Sequence, residues 1–524
     1  MELFPHSLPQ RCFSVPPEAV QSAGAASLLD GGGPRFLSDV DERMLSVFDR
    51  AADPEDPFEL CRLWLGRVDA ESGAHATRPW LAEQWRASTV RRSMSPEEVL
   101  TSRATVRFVK ELFNFFFRDD LYGDLRSDDH LMLSGGAVDE EEWGLPEVLK
   151  ECIRYALDRD WYGYSDSCGR VQAREAVAAY ESARIPGVSY DAGNIALTMG
   201  GTVAISTLAD FIVSRSGPAS APALCATPNY PPLVESIACR TATRLVPLPA
   251  QDGRMSVEPL LAALSPDTPL VMLQTAANPT GAGVAEEDLV RLLNALSPST
   301  LILLDECHEW LGPRSAMSPA RAARNVIRVS SLSKHWSAPG IKAGWITADR
   351  ALIAEYYEYA STHFGGPPSF FYTLIEVLAR MERWRVTGVR AVGTEQVREF
   401  EASYGLTVDR LQDAYLNYAS EREAREQSLL LFRDATHARL SEFATVVKPR
   451  YSINTAVQLP GWDDSYRCFR DLLRETGVST YPGILNFCFS GGAVRLTSAR
   501  SWRDIDAAVD RLEAYAGRDA VRHG

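Results

Sequence analysis

The chain has 524 residues, which is long enough to bury a large core. Of these residues, 45% are hydrophobic and 23% are charged, and this ordinary composition argues against wholesale disorder. Its net charge of -15 argues against a nucleic-acid backbone as the main partner, although a small anionic ligand could still bind at a locally positive site.

Cysteine usage and the N-terminal sequence indicate the compartment. The nine cysteines are dispersed, form no CxxC pair and do not cluster with the eight histidines, so we expect neither a metal site nor a disulfide framework. An odd, dispersed set fits a reducing compartment. The N-terminus lacks a signal-peptide pattern, and no apolar run approaches the ~18 residues of a membrane span. We therefore expect a cytoplasmic protein without membrane association.

The first 129 residues are expected to form a helical extension. In SMSPEEVL, Ser95 and Glu98 have the spacing of a capping box, and Pro96 suits the first helical turn. We expect this helix to continue through VRFVKELFNFFF. Its aromatic segment near Phe113–Phe117 is interpreted as buried against the main domain or a second subunit.

From about residue 190 to 350, short apolar runs alternate with helix-period segments, which is typical of parallel βαβ units. Helices are expected near 201–214, 256–264 and 284–296. Residues 375–443 have the pattern of long charged helices, and residues 445–515 return to alternating strands and helices, which indicates a smaller α+β lobe. The predicted strands are Ile195–Thr198, Ala223–Ala226, Thr243–Val246, Leu270–Gln274, Leu301–Asp305, Val326–Ser330 and Ala343–Thr347.

Several short motifs carry chemical signals that are weak when taken alone. Lys334 follows the apolar run 326–329, a setting that would suit an amine that must lose its proton and bond to a carbonyl, but such a lysine is more often on the surface. Residues 278–281 (NPTG) usually form only a turn. Residues 200–202 (GGT) precede a helix and give a modest phosphate signal. Asp305, at the end of a strand, is often only a helix cap.

Taken together and in order, these motifs carry a resemblance. GGT, TPNYPPL, NPTG, LLDECHEW, SLSKHWSAPGIKAGW and VRLTSARS resemble the motifs of class I/II aminotransferase-like enzymes of fold type I, which use pyridoxal 5′-phosphate (PLP). The resemblance covers roughly residues 130–515. It implies an α/β fold in which a large domain has a mostly parallel seven-stranded sheet between helices, followed by a smaller α+β domain. The expected division is therefore 1–129 (helical extension), 130–365 (PLP-binding domain) and 366–515 (long helices and small domain).

The resemblance also implies roles for residues around the cofactor. Lys334 would hold the PLP aldehyde as a Schiff base and move the α-proton of the substrate. Asp305 would keep the pyridine nitrogen protonated, and Asn278 would donate to the ring oxygen. Tyr230 would stack on the pyridine face. Lys334, Asp305 and Tyr230 are the expected catalytic group.

The phosphate and the substrate have their own expected contacts. The phosphate would be bound by Gly201, Thr202, Ser331 and Lys342. Arg495 would bind the α-carboxylate of an amino-acid substrate, because its planar fork matches a planar anion. The remaining expected contacts are Tyr164, which would reach the phosphate of a neighbouring subunit in a homodimer, and the substrate-side residues Gly136, Trp143 and Asn278.

Two positions depart from the family's pattern. His308 stands where the family has a tyrosine that donates to the cofactor's ring oxygen; a histidine can still donate, but its charge near neutral pH would alter the Schiff-base pKa. Lys342 replaces the usual arginine and gives a point charge in place of a fork. The long N-terminal extension is also more than a simple aminotransferase needs, and it could cap a large substrate or exclude water.

The sequence leaves the reaction open. The first hypothesis is an aminotransferase, which would convert an amino acid into a keto acid. The alternative is γ-elimination, γ-substitution or cyclisation of S-adenosylmethionine, as in enzymes of the 1-aminocyclopropane-1-carboxylate synthase type, with a second substrate such as a pyridine nucleotide. Decarboxylases, oxidases and other lyases share the fold. A binding protein on a retired fold is disfavoured by the joint retention of Lys334, Asp305, Asn278 and Arg495.

Overall fold

A computed structural model describes residues 2–26, 39–215, 221–313, 316–363 and 368–523 of the chain. The chain forms two compact units. The first contains Met1–Val15, Ala137–Ile212 and Leu301–Leu430, and the second contains Pro16–Gly136, Val213–Thr300 and Leu431–Gly524. The expected segments 1–129, 130–365 and 366–515 stay a prediction. Within the ranges given above, no helix is both long and apolar enough to cross a membrane.

The helices are, in chain order, α1 (Pro17–Ala26), α2 (Glu42–Arg50), α3 (Pro57–Ser72), α4 (Pro79–Ala87), α5 (Pro96–Thr101), α6 (Arg103–Phe115), α7 (Glu140–Trp143), α8 (Glu147–Asp158), α9 (Val171–Arg184), α10 (Gly200–Arg215), α11 (Pro231–Ala238), α12 (Glu258–Ala263), α13 (Glu286–Ala295), α14 (Leu332–His335), α15 (Arg350–His363), α16 (Tyr372–Val386), α17 (Thr394–Arg398), α18 (Val408–Ser441), α19 (Ser465–Thr476) and α20 (Trp502–His523).

The strands are β1 (Leu131–Met132), β2 (Ile195–Thr198), β3 (Ala223–Thr227), β4 (Thr243–Pro247), β5 (Ala250–Gln251), β6 (Arg254–Met255), β7 (Leu270–Gln274), β8 (Gly283–Val284), β9 (Leu301–Asp305), β10 (Val326–Ser331), β11 (Gly344–Thr347), β12 (Thr445–Val446), β13 (Asn454–Gln458), β14 (Val478–Ser479), β15 (Tyr481–Pro482) and β16 (Val494–Thr497). All seven strands predicted for the large domain are present, with ends that differ by at most one residue from the prediction.

The first unit contains four of these seven strands in the order β2, β11, β10 and β9. Strands β9 and β10 are parallel, with Asp305 opposite Val329, whereas β11 is antiparallel to both β10 and β2. Helices α9 and α16 pack together, and the core includes the buried rings of Tyr155, Trp384 and Tyr404. The long charged helices predicted after residue 375 are α16 and α18, and the break between them includes Gly405 at a φ of 63°.

The second unit contains the other three strands, β7, β3 and β4, which are parallel. It also has a four-stranded antiparallel sheet in the order β12, β13, β16 and β15, which is the sheet of the predicted smaller lobe. The mostly parallel arrangement of the seven strands with flanking helices confirms the α/β fold class. The described part of the extension contains helices α1 to α6, as predicted.

Helices α5 and α6 correct one detail of the extension. The capping box at Ser95 and Glu98 is present: Glu98 Oε2 accepts from the amide of Ser95 at 2.8 Å, and Ser95 Oγ accepts from that of Glu98 at 3.3 Å. The expectation of one continuous helix through VRFVKELFNFFF is wrong. Ser102 adopts an extended conformation, and its hydroxyl accepts a hydrogen bond from Ala104 N at 3.0 Å, so it caps a second helix.

Candidate active site

Lys334 lies in the first unit, just beyond the carboxyl end of β10. Ser331 is extended, and the chain then turns into the short helix α14, which carries the lysine. Leu332 N donates to the carbonyl of Ala343 at 3.0 Å, so the start of this helix is fixed to the segment that leads into β11. The side chain of Lys334 is half-buried. Its amine is therefore neither fully solvated nor sealed in the core.

Arg425, a buried residue of α18, fixes the segment that follows Lys334. Its guanidinium donates to the backbone carbonyl of His335 and to the hydroxyl of Ser337, and its Nε donates to the carbonyl of Trp143 at 3.2 Å. Burial, followed by the neighbouring charge of Arg422, lowers the pKa of Arg425 to about 9. Two of these hydrogen bonds connect the lysine segment to α18, and the third connects Trp143 to the same helix.

Asp305 ends β9, the parallel neighbour of β10, and only 3% of its surface is exposed. Its Oδ1 accepts a hydrogen bond from Cys307 N at 3.0 Å, which fixes the carboxylate at the turn after the strand. The carboxyl ends of parallel strands meet at one edge of a sheet, which is the usual place for ligands in open α/β sheets. Asp305 and Lys334 therefore share one edge of the first unit's strands.

The start of α10 lies beside Ser331. Gly200 begins the helix with a φ of 80°, and a Cβ on Gly201 would lie 2.9 Å from Cys307 Sγ and 3.9 Å from Ser331 Oγ. A side chain at residue 201 would therefore fill the space between the helix terminus and the Ser331 hydroxyl. Free amides at a helix start suit an anion. Thr202, the next residue, is exposed.

The other residues predicted in the first unit differ in their surroundings. His308 is buried after β9, and its carbonyl accepts from Trp310 N at 2.9 Å. Lys342 is exposed, with its backbone beside Gly200. Trp143 is buried and stacks on Phe13, with 5.2 Å between the ring centroids and 8° between the ring planes. The side chain of Tyr164 is fully exposed.

A buried network of charges, which the sequence did not indicate, follows Asp305 directly. Arg328 on β10 donates to Glu306 through Nε at 2.8 Å and through Nη2 at 2.7 Å, and Nη2 also donates to Glu181 at 2.7 Å. Arg321 donates to Glu306 at 2.6 Å. Burial by itself raises the pKa of Glu306, but Arg328 and Arg321 outweigh burial and hold that pKa below its ordinary value of 4.5.

Arg495 lies in the second unit, on β16, and is 3% exposed. Its Nη1 donates to Asn278 Oδ1 at 2.8 Å, and its Nη2 donates to the carbonyl of Ser134. Burial lowers its pKa to about 10, which leaves the guanidinium charged at neutral pH. Within the described part of the chain, no carboxylate forms an ion pair with Arg495, and its buried Nε has no hydrogen-bond partner. A buried cation without a carboxylate suits an anionic ligand.

Two neighbours complete the surroundings of Arg495. A Cβ on Gly136 would lie 3.3 Å from both terminal guanidinium nitrogens, so a side chain there would crowd the arginine. Tyr481 is the cross-strand partner of Arg495, and the guanidinium carbon lies 4.1 Å from its ring centroid. Tyr230 precedes α11 and is half-buried; burial raises the pKa of its hydroxyl, and Arg495 opposes that rise.

The two units thus each bring part of the predicted set together. The first unit gathers Gly201, Asp305, Ser331 and Lys334 near one strand edge, and the second gathers Gly136, Asn278 and Arg495. Sequence reasoning missed Tyr481, Ser134 and Cys307. The position of Cys307 two residues after a strand-ending aspartate was a usable signal, whereas the contacts of Ser134 and Tyr481 with Arg495 depend on pairing between distant segments.

Comparison with known proteins identifies the family. The profile of the family described as aminotransferase class I and II matches residues 129–423. The chain belongs to this family. Members of the aminotransferase class I and II family use PLP, so the protein is a PLP-dependent transferase of fold type I, as the motifs predicted.

Individual relatives are distant but extensive. Valine–pyruvate aminotransferase from Mycobacterium tuberculosis is 24% identical over 408 residues, which cover 76% of this chain and 92% of the relative. The probable N-succinyldiaminopimelate aminotransferase DapC of the same species is 26% identical over 421 residues, covering 74% and 93%. The structure of YbdL from Escherichia coli, described as having a methionine aminotransferase function, has a TM-score of 0.60 at 22% identity, covering 74% and 93%. This structural likeness shows the fold, and none of the three supports the S-adenosylmethionine alternative.

The residues present fit PLP. The first unit offers an amine on Lys334 for the aldehyde and a buried carboxylate on Asp305 for the pyridine nitrogen. The space that a Cβ on Gly201 would fill, with the hydroxyl of Ser331 beside it, suits a phosphate oxygen at a helix start. These are the donor types that an aldehyde, a pyridinium and a phosphate each require.

Proposed function

We propose that the protein is a PLP-dependent aminotransferase that acts on an α-amino acid through Lys334. The observation that carries this proposal is the shared strand edge of the first unit, where Lys334 follows β10 and Asp305 ends the adjacent parallel strand β9. An amine that can bind an aldehyde and a carboxylate that can hold a proton on a ring nitrogen are the two groups that this cofactor requires.

When bound, PLP supplies a ring that draws electrons away from the substrate's α-carbon. In our proposal, Lys334 Nζ holds the aldehyde at rest and takes the proton from the α-carbon during reaction. Asp305 keeps a proton on the pyridine nitrogen. Asn278 and His308 donate to the ring oxygen, and Tyr230 packs on the ring face.

For the phosphate, we propose the amides of Gly201 and Thr202 together with the hydroxyl of Ser331. The helix start supplies a partial positive charge, and the absence of a side chain at Gly201 leaves room for an oxygen. Lys342 adds a full charge. Because Lys342 is exposed, its contribution is screened by solvent, and we expect it to matter less than the amides.

For the substrate, we propose that Arg495 binds the α-carboxylate. Its buried guanidinium is charged at neutral pH and holds Asn278 and Ser134 rather than a carboxylate. Gly136 and Trp143 complete the proposed substrate-side set. Arg495→Lys should raise KM for the amino acid much more than it lowers kcat, because a point charge loses the bidentate geometry of the fork.

Hydride trapping tests the role of Lys334. Purified protein is treated with borohydride and digested, and mass spectrometry locates the phosphopyridoxyl group. We expect the label on the peptide that contains Lys334, its loss in Lys334→Ala, and normal labelling in the control Lys150→Ala, which removes a surface lysine paired with Glu147. A label on another lysine, or no label at all, would refute the proposal.

A second measurement separates the two reactions. The protein is incubated with amino acids or with S-adenosylmethionine, and products are identified by mass spectrometry. An aminotransferase converts an amino acid into its keto acid and leaves the cofactor in the pyridoxamine form. Release of methylthioadenosine from S-adenosylmethionine, with no keto acid from any amino acid, would overturn transamination in favour of the elimination chemistry.

We further propose a cytoplasmic homodimer in which Tyr164 reaches the partner's phosphate site. The complete exposure of the Tyr164 side chain supports this role, and the nine free thiols support a reducing compartment. Light scattering should give twice the mass of the chain. Tyr164→Phe should weaken PLP binding without changing that mass, whereas a monomer with full PLP affinity would refute the proposal.

A further inference from the structure

Three phenylalanines of the N-terminal extension lie outside the family match, which begins at residue 129. Phe113 lies in the last turn of α6, and Phe116 and Phe117 begin the π-helical stretch Phe116–Asp124. Segments of π-helix are rare and occur frequently at functional sites. With Tyr230 and Tyr481 from the same unit, these residues form a group that we call the aromatic cluster: Phe113, Phe116, Phe117, Tyr230 and Tyr481.

The aromatic cluster has a buried base. Phe116 and Tyr481 are fully buried, and their ring centroids are 5.5 Å apart in an edge-to-face arrangement. Phe117 lies 6.3 Å from Tyr481, and Phe113 lies 6.5 Å from it. Phe113 also meets Tyr230 edge to face at 5.6 Å. These distances are those of favourable aromatic pairs, so the five rings form one continuous apolar surface.

The aromatic cluster contacts Arg495, the proposed carboxylate-binding residue, through Tyr481. The guanidinium carbon of Arg495 lies 4.1 Å from the centroid of Tyr481, the ring that all three phenylalanines contact. An amino acid whose carboxylate is bound by Arg495 is therefore placed beside Tyr481, a member of the aromatic cluster.

The outer members of the cluster are incompletely covered. Phe113, Phe117 and Tyr230 are only half-buried, in contrast to Phe116 and Tyr481. Lys110 Nζ lies 5.2 Å from the Phe113 centroid, and burial lowers the pKa of that amine. Partly exposed ring edges suit the face of a planar aromatic group, and the partly buried cation of Lys110 disfavours a positively charged side chain at this place.

We propose that Phe113 and Phe117 are specificity-determining residues that select a substrate with a planar aromatic group beyond its α-amino acid head. This inference rests on the proposed function, in particular on carboxylate binding by Arg495. Two substrates share the required chemistry: an amino acid with an aromatic side chain, and S-adenosylmethionine, whose adenine is planar. The interpretation of the Phe113–Phe117 segment as buried therefore holds for Phe116, whereas Phe113 and Phe117 are only half-buried.

The test compares ratios of kcat/KM between paired substrates. One arm uses phenylalanine against alanine, and the other uses S-adenosylmethionine against methionine. Phe113→Ala and Phe117→Ala should each lower the ratio at least tenfold in one of the two arms. Phe58→Ala is the matched control, because Phe58 is 48% exposed on α3 of the same unit and lies outside the cluster. It should leave both ratios within twofold of the native protein.

The arm that changes identifies the aromatic group, as a side chain or as adenine. Phe113→Leu keeps apolar volume without a ring and should give an intermediate ratio; it also carries the comparison should Phe113→Ala fail to fold. Equal losses for both members of a pair, or unchanged ratios in both arms, would overturn the inference. That result would leave intact both the hydride label on Lys334 and the rise in KM caused by Arg495→Lys, whereas loss of the label or an unchanged KM in Arg495→Lys would count against the proposed function instead.

Discussion

Replacement of Arg328 by methionine should destabilise the protein severely. Arg328 is 1% exposed and gives three hydrogen bonds to the carboxylates of Glu306 and Glu181. Methionine fills similar apolar volume but leaves two buried anions short of a cation. Breaking a buried pair on one side costs about 3–5 kcal/mol. Because Arg321 and Arg184 still contact these carboxylates, we expect the lower end, about 3 kcal/mol.

The loss should depend on pH in a defined direction. In the native protein the pKa of Glu306 lies below its ordinary value of 4.5, so its contribution to stability is complete above pH 4.5 and is lost as pH falls further. Without Arg328, burial raises the pKa of this carboxyl group, which then takes up a proton on acidification. The difference in unfolding free energy between native protein and variant should therefore be larger at pH 7.5 than at pH 4.5.

Urea unfolding followed by circular dichroism measures both effects. The matched control is Arg324→Met, since the Arg324 side chain is 88% exposed and its pair with Asp349 spans 3.6 Å. An exposed pair of this kind contributes about 0–1 kcal/mol. If Arg328→Met costs no more than Arg324→Met, or if its cost does not shrink at low pH, the network does not carry the charge balance that its geometry indicates.

Three further substitutions follow from the site. Gly201→Ala should weaken PLP binding roughly tenfold or more, because its Cβ would lie 2.9 Å from Cys307 Sγ, and Cys307→Ala in the same chain should restore most of the loss; absorbance titration with PLP measures both, and a lack of rescue would contradict the steric cause. Arg425→Met should lower the unfolding free energy by about 2–4 kcal/mol, since the buried carbonyls of Trp143 and His335 lose their donor, and it should also lower kcat. In the same unfolding and rate assays, substitution of the exposed Arg398 by methionine should change neither quantity. Burial, together with Arg422 and Arg184, lowers the pKa of His335 from 6.5 to about 3, so the unfolding free energy falls as pH drops below 6.5. His335→Gln should reduce the slope of unfolding free energy against pH by up to about 1.4 kcal/mol per pH unit. An unchanged slope between pH 6 and 5 would show that His335 is protonated in the fold.

The sequence predicted those features that depend on local patterns. Apolar runs bounded by turns identified all seven strands, and the Ser95–Glu98 spacing identified a helix start. The break between α5 and α6 at Ser102 was not predicted, because a serine inside a helical pattern can either continue a helix or cap a new one. The packing of α6 on α11 and α3 decides between these two conformations. Local periodicity does not contain that information.

Contacts between distant segments could not be predicted from the sequence pattern. Arg328 lies in the apolar run Val326–Val329, which gives no indication of a carboxylate partner, and its partner Glu181 comes from α9, 147 residues away. Phe113 meets Tyr230 from a helix that precedes the family's motifs altogether. Motif spacing could name the candidates for cofactor chemistry, but it could not indicate which rings or charges surround them.

The hydrogen bonds that Arg425 donates to the lysine segment and to Trp143 have a practical consequence for engineering. Two of its three acceptors are main-chain oxygens, those of Trp143 and His335, so the clamp does not depend on which side chains occupy those positions. Residues 143 and 335 can be randomised in a library while the attachment survives, as long as the backbone keeps its path. Positions 425 and 337, where the side chains themselves form the clamp, should be left unchanged.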